Sequence, residues 1–233
     1  MVIVNGWVEG ISRRPGPLNK LNDGVNDSLG IVCHSMEGGL EGSLNEMFRP
    51  ERQASWMFSN PKVGGLIQHY PVTARPWTSG NAKANNTLWS VESEGRAGEP
   101  LNANQVANMM WLAREFEDYT GVTATRSETG GRTIWEHREV WNWATPNAGP
   151  TACPSGRYEP FYEALAAAQE PDVTDEQIRT IVREEMTRRE DDAAKRLNAA
   201  IQLRMAITRI ANDPDLAIVE QAAAALRGAG FKV

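Results

Sequence analysis

The spacing of apolar and polar positions predicts alternating strands and helices over residues 31–168. Short runs that are continuously apolar, or that alternate between apolar and polar residues, are typical of strands. Such runs occur at residues 31–34, 54–58, 65–70 and 87–94, and helix-like stretches occupy residues 40–48, 104–119 and 161–168. This alternation predicts an α/β domain in which helices cover a β-sheet. Residues 1–30, rich in Gly, Pro, Asn and Asp, predict an irregular N-terminal segment.

The pattern changes near residue 170 and predicts a second region. From residue 171 to residue 233 the chain is rich in alanine and has apolar residues at helical spacing. Thr174 and Gln177 form a capping box that begins a helix, and Asp213 with Pro214 begins a further one. We therefore predict two domains, residues 1–170 and an all-helical region of residues 171–233.

Composition and charge narrow the class of protein. Hydrophobic residues make up 41% of the chain, which is sufficient for a packed core. The formal net charge is −6 and no basic block occurs, which argues against a nucleic-acid-binding protein. No apolar run approaches the ~18 residues of a membrane-spanning helix, and the N-terminus lacks a signal-peptide pattern. We expect a protein that is synthesised in the cytoplasm without a signal peptide and does not insert into membranes directly.

Histidine and cysteine are scarce, so each can be considered individually. The 233 residues include three histidines and two cysteines. His34 ends the apolar run at residues 31–34, His137 follows a second short apolar segment, and Cys153 lies in a Pro- and Gly-containing loop. Two imidazoles and one thiolate form a three-ligand zinc set that leaves the fourth tetrahedral position open for water, as in a catalytic site. The hypothesis is a zinc ion bound by these three residues.

The other cysteine has two interpretations. A disulfide between Cys33 and Cys153 is one, but a lone bridge is unusual in a protein that has no secretion signal. Cys33 precedes His34 in the predicted strand, so its side chain points to the opposite face of the sheet. We therefore predict that Cys33 is a small buried core residue.

Six segments carry a family resemblance: residues 32–38, 54–58, 65–71, 86–95, 137–140 and 151–156. In their order along the chain they resemble the zinc-dependent N-acetylmuramoyl-L-alanine amidases of the peptidoglycan recognition and phage lysozyme-amidase group. The similarity is closest to phage endolysins and covers residues 28–168. The resemblance implies a central mixed β-sheet flanked by helices. It also implies a zinc ion and cleavage of the amide between N-acetylmuramic acid and L-alanine in peptidoglycan.

The resemblance also assigns roles to single residues. His34, His137 and Cys153 match the family's metal-ligand positions directly. Glu92 matches a position at which some members have a functional glutamate, which would pass a proton to the leaving L-alanine nitrogen. Glu94, two residues on, is the alternative, and an ordinary salt bridge is the other interpretation of either carboxylate.

Thr151 matches the place where the family has a lysine or a threonine near the scissile carbonyl. Its hydroxyl could donate a hydrogen bond to the developing oxyanion. The other interpretation is that the hydroxyl only caps the loop that carries Cys153.

The sequence departs from the family pattern in two places. Trp56 stands where a tyrosine is frequent, and an indole can donate a hydrogen bond but cannot act as a base. Cys153 follows His137 by 16 residues, a longer gap than usual, so residues 140–150 are predicted to form an inserted loop at the cleft. Trp56, His69 and Trp77 are the predicted substrate-binding residues, although His69 is also interpreted as a partly buried strand residue.

These features predict a phage-type endolysin that is made in the host cytoplasm and acts on the cell wall after release. Its partner would be peptidoglycan, with residues 171–233 serving cell-wall targeting, homo-oligomer formation or packing. One alternative is a peptidoglycan-binding module without activity, which Cys153 argues against because non-catalytic relatives typically lose this ligand. The other alternative is a zinc peptidase that cuts the stem peptide.

Overall fold

The computed structural model describes residues 3–129, 131–143, 149–169 and residue 180. The chain divides into two units, Met1–Ile178 and Arg179–Val233, and all described residues except residue 180 belong to the first. The predicted helices of residues 171–233, the domain boundary at residue 170 and the middle of the predicted 140–150 loop lie outside the described residues. None of the described helices has the length and apolar character needed to cross a membrane.

The first unit contains short strands and five helices within the described residues. The strands are β1 Ile3–Val4, β2 Trp7–Val8, β3 Ser12–Arg13, β4 Gly30–Ser35, β5 Phe58–Asn60, β6 Ile67–Gln68, β7 Leu88–Ser93 and β8 Ile134–Glu136. The α-helices are α1 Leu40–Phe48, α2 Ala82–Thr87, α3 Ala103–Thr120, α4 His137–Val140 and α5 Glu159–Ala168, and a 3-10 turn spans Leu18–Lys20.

Six strands form one mixed sheet in the order β3-β6-β5-β7-β4-β8. Strands β5, β7, β4 and β8 run parallel, whereas β6 is antiparallel to β5 and parallel to β3. Strands β1 and β2 form a separate antiparallel pair. The predicted α/β class and the central mixed sheet with flanking helices are confirmed.

The central strands β4 and β7 are buried along nearly their whole length. The continuous apolar run identified β4, as is typical of a strand covered on both faces, and the alternation of apolar and polar residues identified β7. Their parallel register pairs His34 with Glu92. The carboxyl ends of β4, β7 and β8 therefore bring polar residues to one edge of the sheet.

Helices α1 and α3 agree with the sequence pattern. The bounds of α1 are those predicted. Asn102 and Gln105 form a capping box at the start of α3, and Gly121, with a φ of 70°, ends it in the left-handed conformation that glycine adopts without strain. The apolar side of α3 is buried against the sheet, as its helical spacing predicts.

Three local predictions differ from the structure. The strand predicted at residues 54–58 begins only at Phe58 and continues to Asn60, and the next strand is limited to Ile67–Gln68. The N-terminal segment, predicted as irregular, contributes β3 to the sheet through backbone pairing with β6. Helix α2 was not predicted, because its six residues contain two alanines but no large apolar side chain.

Candidate functional site

The three predicted ligand residues come together at the carboxyl edge of the sheet. His34 lies near the end of β4, His137 begins α4 directly after the neighbouring strand β8, and Cys153 lies in the loop before α5. One ligand atom from each lies within 4.8 Å of the others. The Cys153 Sγ atom is 4.0 Å from His34 Nδ1, and the two imidazole centroids are 4.5 Å apart.

The protonation states of these side chains follow from burial. Burial lowers the pKa of His34, and the neighbouring His137 lowers it further. Burial also lowers the pKa of His137, so both imidazoles are neutral, the form that binds a metal ion. Burial and the carboxylate of Glu92 raise the pKa of the Cys153 thiol, whose Sγ accepts the backbone N–H of Ser35 at 3.3 Å.

This donor set fits zinc. Two imidazole nitrogens and one sulfur are the ligand types that Zn²⁺ prefers, and three protein ligands are the number found in catalytic zinc sites. A coordinating thiol is deprotonated by the cation, which removes the cost of ionising a buried Cys153. Cys33 lies on the other face of β4, fully buried, and both cysteines are free thiols, so the disulfide alternative is excluded.

The carboxylate of Glu92 is the acidic group beside this cluster. Its Oε1 atom is 3.9 Å from His34 Nδ1, and its side chain is 15% exposed. Its Oε2 atom is buried and has no hydrogen-bond partner among the described residues. Burial raises the pKa of Glu92 to about 8, although Arg157 opposes the shift, and Glu37 adds to it. A bound cation would lower this pKa toward neutrality.

Glu94, the alternative carboxylate, is engaged by the backbone. Its Oε1 accepts the N–H of Leu40 at 3.2 Å, and its Oε2 accepts the N–H of Lys62 at 2.9 Å. Glu94 thus joins the beginning of α1 to the turn that follows β5. Of the two candidates, Glu92 has the oxygen that remains available for proton transfer.

The Thr151 hydroxyl lies two residues before Cys153 and accepts the backbone N–H of Cys153 at 3.1 Å. This contact is the loop-capping interaction expected for a threonine at this place. The hydroxyl hydrogen is not used by this contact, so the same group retains a donor.

The structure places two of the three predicted substrate-binding residues in the core. Trp56 is 6% exposed and His69 is 1% exposed. The Trp56 indole N–H donates to Ser59 Oγ at 2.8 Å, and that oxygen is also 2.8 Å from His69 Nε2. Trp56 and His69 therefore belong to a buried hydrogen-bonded network, and their contact with substrate stays a prediction. Trp77 is partly exposed, and its indole N–H donates to Asn22 Oδ1 at 2.8 Å.

The burial of His69 predicts a specific dependence of stability on pH. Burial lowers the pKa of His69 to about 4, from an ordinary value of 6.5. Between these values the unfolded chain binds the proton and the folded chain does not, so stability is present above pH 6.5 and is lost as the pH falls toward 4. The loss amounts to about 3 kcal/mol. Urea unfolding of wild type and His69→Gln at several pH values measures it, and equal pH dependence of the two proteins would contradict the prediction.

Sequence reasoning missed Arg157, which is 1% exposed. Its guanidinium donates to Ser35 Oγ and to the Ser93 carbonyl, both at 2.9 Å, and to the Glu94 carbonyl at 2.6 Å. It thereby joins the ends of β4 and β7, the two strands that carry His34 and Glu92. An arginine after a glycine in a polar loop gives no sequence signal of burial.

A second group of charged residues fixes the helix that begins with His137. The carboxylate of Glu139 accepts hydrogen bonds from Arg126 at 2.7 Å, from Arg132 and from the backbone N–H of Glu136 at 2.7 Å. Bidentate arginine–carboxylate pairs are strong and directional. They hold the first turn of α4, and therefore the backbone of His137, against β8.

Comparison with known proteins agrees with this fold. A family model described as Amidase_2, N-acetylmuramoyl-L-alanine amidase, matches residues 25–156. A comparison with curated protein sequences finds no match.

Three solved structures are similar in fold. A selenomethionine derivative of AmpD has a TM-score of 0.51 and 17% identity, over 71% of this chain and 99% of that chain. A mutant endolysin from Bacillus subtilis has a TM-score of 0.50 and 17% identity, over 68% of this chain and 97% of that chain. PlyL has a TM-score of 0.51 and 16% identity, over 66% of this chain and 96% of that chain. Since the family model spans more than half of the sequence, the chain belongs to the N-acetylmuramoyl-L-alanine amidase family.

Proposed function

We propose that the chain is a zinc-dependent amidase that cuts the bond between N-acetylmuramic acid and L-alanine and acts as a phage-type endolysin. Membership of the family supports hydrolysis of the peptidoglycan amide. The meeting of His34, His137 and Cys153 within 4.8 Å is the observation that carries the proposal of zinc dependence. The motif resemblance to endolysins supports action on the bacterial cell wall.

The proposed ligands are His34 and His137 through imidazole nitrogens and Cys153 through its thiolate. When bound there, zinc lowers the pKa of a coordinated water and polarises the scissile carbonyl as a Lewis acid. With two neutral ligands and one thiolate, the centre keeps a net positive charge. His34 is buried, and electrostatic interactions are stronger around a buried group than around one in water.

Glu92 handles the proton in this proposal. Amide hydrolysis adds water to the carbonyl carbon, breaks the C–N bond and leaves a proton on the L-alanine nitrogen. The unpartnered Oε2 atom of Glu92 takes the proton from the attacking water and gives it to that nitrogen. A carboxyl group whose pKa is raised by burial suits both steps, because it holds and releases the proton near neutral pH.

Thr151 acts on the carbonyl oxygen. Its oxygen already accepts the backbone N–H of Cys153, which fixes the side chain beside the ligand. In this proposal the remaining hydroxyl hydrogen donates to the developing oxyanion of the substrate. Such donors contribute about 3 kcal/mol of transition-state stabilisation when they are well placed.

Product analysis with metal removal tests the proposal. Purified peptidoglycan is digested with the full chain, and the new termini are identified by mass spectrometry. We expect free L-alanine amino termini, because the amide bond to the lactyl group is cut. Treatment with a chelator is expected to abolish their appearance, and added zinc, but not magnesium, is expected to restore it.

The alternatives give different products in the same experiment. A zinc peptidase would release termini within the stem peptide and leave L-alanine attached to the sugar. A peptidoglycan-binding module would sediment with the wall and release nothing. Activity that persists in chelator, in a protein that contains no metal, would overturn the zinc proposal while leaving the amidase assignment intact.

A further inference from the structure

Ser79 contacts both histidines of the cluster through two different atoms. It lies in the loop between β6 and α2 and is completely buried. Its hydroxyl oxygen is 3.3 Å from His34 Nε2, and its backbone carbonyl oxygen is 2.9 Å from His137 Nε2. Ser79 therefore contacts the Nε2 atoms of both imidazoles.

The carbonyl contact determines which nitrogen of His137 carries the hydrogen. A carbonyl oxygen can only accept, so the Nε2 atom of His137 must be the donor. In a neutral imidazole the other nitrogen, Nδ1, then has a free lone pair. This arrangement leaves Nδ1 as the metal-binding atom of His137.

The hydroxyl contact is compatible with the same tautomer of His34. The Nδ1 atom of His34 faces the cluster, since it is 4.0 Å from Cys153 Sγ. Binding of a metal through Nδ1 requires the hydrogen on Nε2, which then donates to Ser79 Oγ. A hydroxyl oxygen can accept this hydrogen bond, whereas a methyl group cannot.

The loop that carries Ser79 is itself fixed. The side-chain oxygen of Asn85 accepts the backbone N–H groups of Thr78 at 3.2 Å and of Ser79 at 2.8 Å. Asn81 caps α2 by accepting the N–H of Ala84 at 3.1 Å, and its amide donates to the Trp141 carbonyl at 3.0 Å. These hydrogen bonds hold the backbone of Ser79 in place beside the two histidines.

We infer that Ser79 is a positioning residue that selects the metal-binding tautomer and ring orientation of both His34 and His137. The inference rests on the proposed zinc site. Partners of this kind raise the basicity of the ligand and fix its ring, and their loss lowers metal affinity by about 10- to 100-fold. Because the backbone carbonyl survives any substitution, the Ser79 hydroxyl controls His34 alone, and its removal should act on one histidine only.

Ser79→Ala in the full chain tests the inference, with Ser90→Ala as the matched control. Ser90 is 2% exposed, and its hydroxyl accepts the N–H of Met57 at 3.0 Å on the same sheet, so the control also removes a buried hydroxyl. Zinc affinity is measured by competition with a chelator of known affinity. Nitrogen-15 spectra of the zinc-loaded proteins report the Nε2–H group of each imidazole.

We expect Ser79→Ala to weaken zinc binding about 10-fold and to shift the His34 Nε2–H signal while leaving that of His137 in place. Ser90→Ala should change neither quantity. Equal zinc affinity and an unmoved His34 signal in Ser79→Ala would overturn the inference, as would spectra in which Nε2 is the zinc-bound atom of His34. If wild type itself bound no zinc, the proposed function would fail instead, so the two failures are distinguishable.

Discussion

Replacing Cys153 with serine is expected to remove bound zinc and to lower amide hydrolysis by at least about 10³-fold. A thiolate is a far better zinc ligand than a serine hydroxyl, which does not ionise at neutral pH. Loss of the metal forfeits several kcal/mol of transition-state stabilisation, and each 1.36 kcal/mol corresponds to about tenfold in rate. Zinc content by mass spectrometry and the release of L-alanine termini measure the two effects.

Cys33→Ala is the matched control for Cys153→Ser. It removes the other thiol of the chain, next to His34 in sequence but on the opposite, fully buried face of β4. We expect this variant to keep one zinc ion per chain and nearly full activity, at a modest cost in stability from the lost packing. A Cys153→Ser protein that kept both zinc and activity would show that the ligand set is wrong.

The clustering of the three candidate ligands could be predicted because the chain has few histidines and cysteines. The chain has three histidines and two cysteines, and the order of the family-like segments around them was sufficient to select the three candidate ligands. Strand β4 was predictable from its continuous apolar run, and helices α1 and α3 were predictable from the sequence of each helix alone. The pairing of β3 with β6 was not, because it depends on backbone hydrogen bonds between segments about 55 residues apart.

The residues that support the site left no local signal. Arg157 reaches Ser35 across 122 positions of the sequence, and Ser79 reaches His34 across 45. Neither contact follows from the spacing of apolar residues, because both residues lie in polar loops whose path is set by the whole fold. The burial of Trp56 also depends on the whole fold, because Trp56 and His69 both form a hydrogen bond with Ser59 in the core.

The sequence pattern could not decide which of the two glutamates is the better candidate for proton transfer, whereas their hydrogen-bond partners distinguish them. Glu92 and Glu94 are two positions apart, so alternation assigns them to the same face. The structure separates them by their partners, because both oxygens of Glu94 accept backbone N–H groups, whereas Glu92 keeps a buried oxygen with no partner among the described residues. A carboxylate with both oxygens hydrogen-bonded to the backbone is suited to holding the fold, whereas a buried carboxyl with an unsatisfied oxygen is suited to proton transfer.

This difference predicts opposite outcomes for the two glutamine variants. Glu92→Gln removes the group that moves the proton while keeping its size, so we expect kcat to fall by about 10²- to 10⁴-fold with zinc still bound and KM little changed. Glu94→Gln keeps one acceptor and turns an N–H donor toward a backbone N–H, so we expect near-normal kcat and a loss of stability of about 1–2 kcal/mol. Steady-state rates on a soluble muramoyl peptide and urea unfolding measure the two effects.

The pair of variants distinguishes proton transfer from structural support. If Glu92 served only to pack beside His34, its amide variant would lower zinc content and leave the rate per bound zinc unchanged. If Glu94 were the proton carrier, the fall in kcat would move to Glu94→Gln. We expect a loss of kcat confined to Glu92→Gln, at full zinc content. The reason is that Glu92 places Oε1 3.9 Å from His34 Nδ1 and keeps a buried Oε2 with no partner among the described residues.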